Sequence, residues 1–515
     1  MGSHTDYDII IIGTGAGGGT LLHSLAPTGK RILVLERGGP LPREAQNWDS
    51  GAVFLENRYK ADESWLDRHG NELHPEIHYY VGGNTKLYGA ALLRFRRQDF
   101  EEMRHVDGVS PAWPVGYDEF EPFYSAAEQL YHIHGKRGTD PTEPPASAPY
   151  PYSPVPHEPR VQLLHDDLTR LGHTPFPLPM GVMLDEDDAT ENTCIRCSTC
   201  DGYPCRVDGK ADAETVCVLP ALAHENVTLR TNTMVERLET SSDGREVTGV
   251  VCRTDDGVET YRAEVVVAAC GAINSAALLL RSASQAHPDG LANRSGVVGR
   301  HYMCHNNSPF VAISPRRNET EFQKTLGLND FYFGSDRFDH PLGHIQTMGK
   351  ADAEKFRAAA PFWLPRPILD LIARHSLDFW VTSEDLPDPE NQVLVDSNGR
   401  IRLHHRPNNL LAHRRLILEL KRLLSRIDRD AWFIPATISL AKKVPLSGTT
   451  HQCGTVRFGT DPSTSALDVN CRTHEVDNLY VVDSSFFPSS AALNPALTIF
   501  ANALRVGAHL RERLA

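Results

Sequence analysis

Three groups of residues in this sequence have types or spacings that could do chemistry. The first is Gly13-Thr14-Gly15-Ala16-Gly17-Gly18, which sets Gly13, Gly15 and Gly18 in G-x-G-x-x-G order. It lies between an apolar run, Tyr7–Ile12, and a helical pattern at Thr20–Leu25. Such glycines permit a tight turn, let backbone approach a pyrophosphate and pack helix closely on strand, while the helix N-terminus attracts the phosphate charge. Glu36 follows a second apolar run, Arg31–Leu35, and is placed to accept hydrogen bonds from a ribose hydroxyl. Its charge disfavours a 2′-phosphate and so NADP. Strand, turn, helix, strand and acid together read as a dinucleotide site without separating FAD from NAD.

The second group is His451 and Asn494, whose side-chain types could move or hold a proton although no spacing links them. A neutral imidazole of ordinary pKa, about 6.5, can accept a proton near neutral pH. With 24 histidines in the chain, residue type alone does not select one. Asn494 and Pro495 read as the N-cap and first position of a helix whose Leu497, Phe500, Leu504 and Val506 give a mostly buried face. That helix end offers unpaired N–H groups and partial positive charge.

The third group is Cys194, Cys197, Cys200 and Cys205, spaced C-x₂-C-x₂-C-x₄-C, close to a ferredoxin run without matching it. In a cytosolic chain metal is favoured over disulfide, yet clustered thiols near a surface are also structural. The expectation is no metal, with iron–sulfur and zinc as alternatives. Arg300, His301, Cys304 and His305 have metal-ligating types but read as the continuation of Val297-Val298-Gly299. Phe331, Tyr332, Phe333, Phe379 and Trp380 are candidate stacking surfaces for a sugar ring, although core packing is the commoner use of such residues.

The elements that must position these groups read as α/β. At 515 residues the chain can bury a large core, and its 40% hydrophobic and 23% charged composition is that of a soluble globular protein. A net charge of −14 lacks the basic footprint of a nucleic-acid or anionic-membrane binder. No run reaches the length of a membrane span and Met1–Tyr7 lacks a signal-peptide pattern, so the expected location is cytoplasmic. Alternation at Val227–Leu238, Glu246–Arg253 and Tyr261–Ala269 predicts antiparallel strands, with a helix at Asn274–Arg281. Residues 136–160 are Pro-rich and expected at the surface. Strand-like alternation at Ser376–Thr382 and Gln392–Leu403, and a helical period over Leu411–Leu424, predict an inserted second unit. The expected division is a Rossmann-like dinucleotide-binding domain from discontinuous segments 1–106, 190–309 and 446–515. Residues 107–189 give part of the substrate domain and the Pro-rich stretch, and 310–445 give an α+β substrate domain with an antiparallel sheet.

Over nearly its whole length the sequence resembles the glucose–methanol–choline (GMC) family of FAD-dependent oxidoreductases. Gly82-Gly83-Asn84-Thr85 with Tyr88-Gly89-Ala90 resembles the family's second flavin-contacting segment, and Ala269-Cys270-Gly271-Ala272 with Ser275 its later strand–turn–helix beside the cofactor. His451-Gln452-Cys453-Gly454-Thr455, Asn478–Asp483 and Asn494-Pro495-Ala496-Leu497-Thr498 follow in family order. The resemblance implies FAD held by Gly13, Gly15, Gly18, Glu36, Gly83, Asn84, Thr85, Tyr88, Gly89, Ala90, Val235, Cys270, Gly271, Asp483, Pro495 and Thr498. It implies alcohol oxidation with His451 as base and Asn494 hydrogen-bonded to the substrate oxygen. Some relatives attach FAD covalently through a histidine where this chain has Leu87, so non-covalent FAD is expected. The expected substrate is a hydroxyl of a sugar or glycoside, with O2 or another electron acceptor. Alternatives are a sterol or aliphatic alcohol, a non-redox FAD-containing lyase, or a flavin module passing electrons to an iron–sulfur centre.

Overall fold

A computed structural model describes residues 6–185, 193–360, 363–427 and 438–515. The apolar runs at the start of the chain form strands Asp6–Ile12 and Ile32–Leu35, whose Ile9, Ile10, Ile11, Leu33 and Val34 have no exposed surface. Such continuous apolar strands suit a parallel sheet covered on both faces. The sheet has seven strands, with Val227–Arg230, Ile32–Leu35, Asp6–Ile12, Gly257–Ala268 and Leu479–Val481 side by side and parallel. Gly257–Ala268 then continues antiparallel through Val247–Thr254 to Met234–Thr240. The expected strand Val227–Leu238 is two strands, because Asn232 takes a left-handed turn (φ 52°) between them.

Helix Ala16–Leu25 begins earlier than the apolar pattern predicts, its first turns made of glycines. Close packing is the reason. A Cβ on Gly17 would lie 1.8 Å from the Val482 carbonyl oxygen, so the helix can dock on the C-terminal strand only with glycine there. Across it packs the C-terminal helix Ala496–Arg513, near enough that a Cβ on Gly507 would meet the Ser24 hydroxyl at 2.5 Å.

The second unit is a six-stranded antiparallel sheet in the order 438–441, 306–313, 376–383, 344–347, 326–328 and 175–177. Helices Leu410–Leu424 and Pro159–Arg170 cover it, burying Leu416, Leu420 and Leu164 against Phe310, Phe379 and Val381. The alternation at Gln392–Leu403 resolves into two strands, Gln392–Val395 and Ile401–His404, paired antiparallel. Helix Tyr117–Leu130 lies outside the expected elements, since it carries Pro122 within it, a residue that ordinarily breaks helices. Among the described residues no helix is long and apolar enough to cross a membrane.

Candidate active site

A cleft with about 1190 Å³ of empty space, open mouth included, runs along the C-terminal ends of the parallel strands, where α/β sheets bind ligands. Gly13, Gly15, Glu36, Gly83, Asn84, Thr85, Val235, Cys270, Gly271 and Asp483 wall it. Of the other residues expected at the cofactor, Gly18, Tyr88, Gly89, Ala90, Pro495 and Thr498 are not part of this wall.

The glycines make the cleft a backbone-lined cradle. Gly13 has φ 101°, and a Cβ there would lie 2.5 Å from the Ala269 carbonyl oxygen; one on Gly18 would lie 2.0 Å from that of Gly13. Gly15 and Gly83 face each other, a Cβ on Gly83 reaching within 3.1 Å of the Gly15 Cα. A pyrophosphate could approach backbone N–H groups here with no side chain in the way, so these residues fit a dinucleotide.

Glu36 sits just past its strand and is buried. Its Oε2 accepts the Thr14 N–H (3.0 Å) and hydroxyl (2.6 Å), and Oε1 accepts the Gly38 N–H (3.0 Å). Burial raises its pKa above the usual carboxylate range, against the lowering effect of these hydrogen bonds. Asp483 accepts four hydrogen bonds, from Gly271 N (3.0 Å), Ser275 Oγ (2.5 Å), and Ser485 N (2.9 Å) and Oγ (2.5 Å). It therefore ties the turn after Gly257–Ala268 to the C-terminal strand. Lys86, in the second flavin segment, is fixed from behind by Asp212 (3.0 Å) and Glu214 (2.6 Å). Leu87 turns away from the cleft into an apolar cluster with Val53, Tyr59 and Tyr203.

His451 lies between Thr450 and Gln452, both of which wall the cleft. A two-residue antiparallel ladder, Met303↔Cys453 and Cys304↔Gln452, brings it beside His305. The rings meet edge to face at 5.0 Å, with their Nδ1 atoms 2.8 Å apart. His305 Nε2 donates to the Ser490 carbonyl oxygen at 2.9 Å. Burial depresses both pKa values, that of His451 well below the ordinary value with the neighbouring His305 adding to the effect.

Asn494 is half-buried, and among the described residues its side chain has no hydrogen-bond partner. It does not cap the helix: the helix starts at Ala496 and Pro495 holds the cap position without any side-chain hydrogen bond. Proline is one place earlier than expected: Pro495 already has helical dihedrals (φ −79°, ψ −14°), and its carbonyl accepts the first bond of the helix, from Ile499 N–H at 3.1 Å. Thr498 is turned inward to Tyr124, hydroxyl to hydroxyl at 2.7 Å.

The four clustered cysteines pack behind the second flavin segment, where Gly202 N donates to the Leu87 carbonyl oxygen (3.0 Å) and Lys210 donates to the carbonyls of Tyr88 (2.9 Å) and Tyr203 (2.7 Å). Cys205 Sγ accepts the Gly209 N–H at 3.2 Å. Of the aromatic candidates, Phe379 is core and Tyr332 is buried with its hydroxyl on Asp99 (2.9 and 3.0 Å), so neither offers a ring face to a sugar. Sequence reasoning did not pair His305 with His451. The signal was faint, a histidine beside Cys304 that mattered only once the ladder was known.

This geometry, a glycine-lined cleft on a parallel sheet whose wall includes both chain neighbours of His451 but not His451 itself, is that of a dinucleotide-binding protein. The comparisons with known proteins agree. Two family models, both described as GMC oxidoreductase, match residues 77–307 and 388–503. The chain is 30% identical to 6'''-hydroxyparomomycin C oxidase of Streptomyces lividus, over 99% of this chain and 92% of that protein. It is also 30% identical to paromamine 6'-oxidase of Streptomyces fradiae, over 97% and 90%. A crystal structure of pyridoxine 4-oxidase shares the fold with TM-score 0.68 and 18% identity, covering 98% of this chain and 99% of that one. The chain belongs to the GMC oxidoreductase family, whose members are FAD-dependent enzymes acting on alcohol groups.

Proposed function

We propose that this protein oxidises a hydroxyl of a sugar or glycoside, with His451 as the base and FAD bound non-covalently. The observation that carries the base assignment is the hydrogen-bond order at His305. Ser490's carbonyl can only accept, so His305 carries its hydrogen on Nε2 and accepts at Nδ1 from His451 Nδ1–H. His451 Nε2 is left with a free lone pair. Taking the hydroxyl proton there gives the substrate carbon alkoxide-like character, and the hydride then leaves far more readily. FAD, when bound, supplies the hydride acceptor. Asn494, whose side chain has no hydrogen-bond partner among the described residues, is free to hydrogen-bond the substrate oxygen.

The sugar reading is supported by relatives named for amino-sugar-containing antibiotics, paromamine and hydroxyparomomycin. The non-covalent reading is supported by Leu87, which offers no nucleophile and points away from the cleft. All ten cysteines are free thiols, which supports a reducing compartment such as the cytoplasm.

Anaerobic mixing with a panel of sugars, glycosides and aminoglycosides, alongside sterols and aliphatic alcohols, tests the substrate class. Loss of oxidised-flavin absorbance with the carbohydrate members is expected. Bleaching confined to sterols or aliphatic alcohols overturns the sugar reading, and no bleaching with any alcohol while a substrate is cleaved points to a lyase. Acid precipitation should leave all flavin in the supernatant; flavin in the pellet overturns the non-covalent assignment.

A further inference from the structure

Cys304, Asp385 and His405 converge from three separate segments just behind the histidine pair. His405 Nε2 lies 2.9 Å from Asp385 Oδ2 and 3.8 Å from Cys304 Sγ, and one donor atom from each residue falls within 4.8 Å of the others. All three side chains are nearly or wholly buried. Tyr302, also wholly buried, sets its ring at right angles to His405 with centroids 5.5 Å apart, and its hydroxyl has no hydrogen-bond partner among the described residues. None of these groups takes part in the proton transfer assigned to His451.

We infer that Cys304, Asp385 and His405 bind a single zinc ion, with the Tyr302 hydroxyl or a water completing the set. One thiolate, one imidazole and one carboxylate form a borderline-soft donor set suited to zinc, whereas calcium and magnesium take oxygens alone. Zinc bonds of about 2.0–2.3 Å in tetrahedral array space their donors roughly 3.3–3.6 Å apart. The His405–Asp385 and His405–Cys304 separations bracket that spacing, and the donor atoms of Cys304 and Asp385 lie within 4.8 Å of each other. The backbone is already braced for such a site. Cys304 is fixed by its pairing with Gln452, and Asp385 Oδ2 accepts the Cys304 N–H at 3.1 Å. Asp385 Oδ1 accepts the N–H of Asn408, close to His405, at 3.4 Å.

The ion would brace the reaction centre from behind. Asp385's carbonyl oxygen accepts the Ser490 hydroxyl at 3.0 Å, and Ser490's own carbonyl accepts from His305. Zinc on Asp385 and Cys304 therefore holds both neighbours of His305, its sequence neighbour and its hydrogen-bond acceptor.

The test is metal content of the FAD-loaded protein after chelator treatment, re-exposure to Zn²⁺ and desalting, which needs no turnover and stands apart from the alcohol-oxidation reading. About one zinc per chain is expected. Co²⁺ in its place should give d–d absorption beyond the flavin bands, and the stripped protein should melt at lower temperature than the zinc form. Cys304→Ser and His405→Ala should each abolish zinc retention with flavin content unchanged, whereas Cys197→Ser, in the other cysteine cluster, should leave it intact. Wild-type protein that retains no zinc and gives no cobalt spectrum overturns the inference. So does zinc that persists in Cys304→Ser and His405→Ala but leaves in Cys197→Ser.

Discussion

The Nδ1 atoms of His305 and His451 lie 2.8 Å apart, and only one of them carries a hydrogen. Two nitrogens at that separation are a hydrogen bond when one donates and a collision of lone pairs or of protons otherwise. The Ser490 carbonyl settles the direction, and burial keeps both rings neutral by depressing their pKa values. His451 is thus held as one tautomer.

His305 is a positioning residue on this account, and His305→Leu should slow substrate-driven flavin reduction by about 10–100-fold, the usual effect of losing the group that orients a histidine. FAD binding should not change. His305→Asn, whose amide can donate to Ser490 and accept from His451, should recover much of the rate. Stopped-flow reduction of both variants decides it: equal rates for Leu and Asn would reduce His305 to a packing residue.

Replacing His451 with Ala should slow reduction by about 10²–10⁴-fold, the contribution of a positioned general base, with FAD retained. Asn494→Ala should slow it less. Because Asn494 caps nothing, that variant should also unfold within about 0.5 kcal/mol of the wild type rather than show the loss of a helix cap. Denaturant unfolding beside single-turnover kinetics checks both. A His451→Ala protein as fast as the parent places the base elsewhere.

Glu36→Ala should weaken FAD retention. A charged acceptor contributes about 1.5–3 kcal/mol per hydrogen bond, so a roughly tenfold or greater rise in Kd is expected. The variant also leaves the Thr14 and Gly38 donors without their carboxylate. Unaltered flavin occupancy after dilution and gel filtration would mean that Glu36 serves the loop alone.

Stability should fall as pH drops below about 6.5. Burial depresses His157, His301 and His344 to about 4 and His413 to about 3, and lowers His78, His305 and His451 as well. Below 6.5 the unfolded chain takes up protons at these sites that the native state refuses. For a fully buried group such as His344 or His413 this amounts to about 1.4 kcal/mol per pH unit. Asp99, raised by burial to about 7, acts the other way, as do Glu36, Asp378 and Asp483, but the histidines outnumber them. A melting temperature that stays level between pH 7 and 5 would contradict this balance.

Local patterns made the cofactor end legible. Gly13 to Gly18, Glu36 and Leu87 each act within one short segment; the structure brings Gly13 to Gly17 and Glu36 to the cleft, with Gly18 packed behind on the Gly13 carbonyl, and turns Leu87 away from it. The reaction end was harder because its relations span the chain. His305 and His451 are joined by a ladder between segments far apart in sequence, and Cys304, Asp385 and His405 likewise share no local pattern. Asn494 misled because Asn-Pro carries a strong cap signal that the actual turn does not use. Phe379 alternates as a sugar-facing residue would, yet both faces of its strand are covered.

The strand Gly257–Ala268 lies between the first strand of the chain and Leu479–Val481, and Gly17 docks directly against Val482. During synthesis, then, the turn at Gly13–Gly18 must wait until Val482 has been made before its last wall arrives. Until the ribosome has released the C-terminal helix, an apolar parallel edge stands open to wrong partners. The cleft, too, lacks part of its wall, Asp483 included, until that stretch has been made.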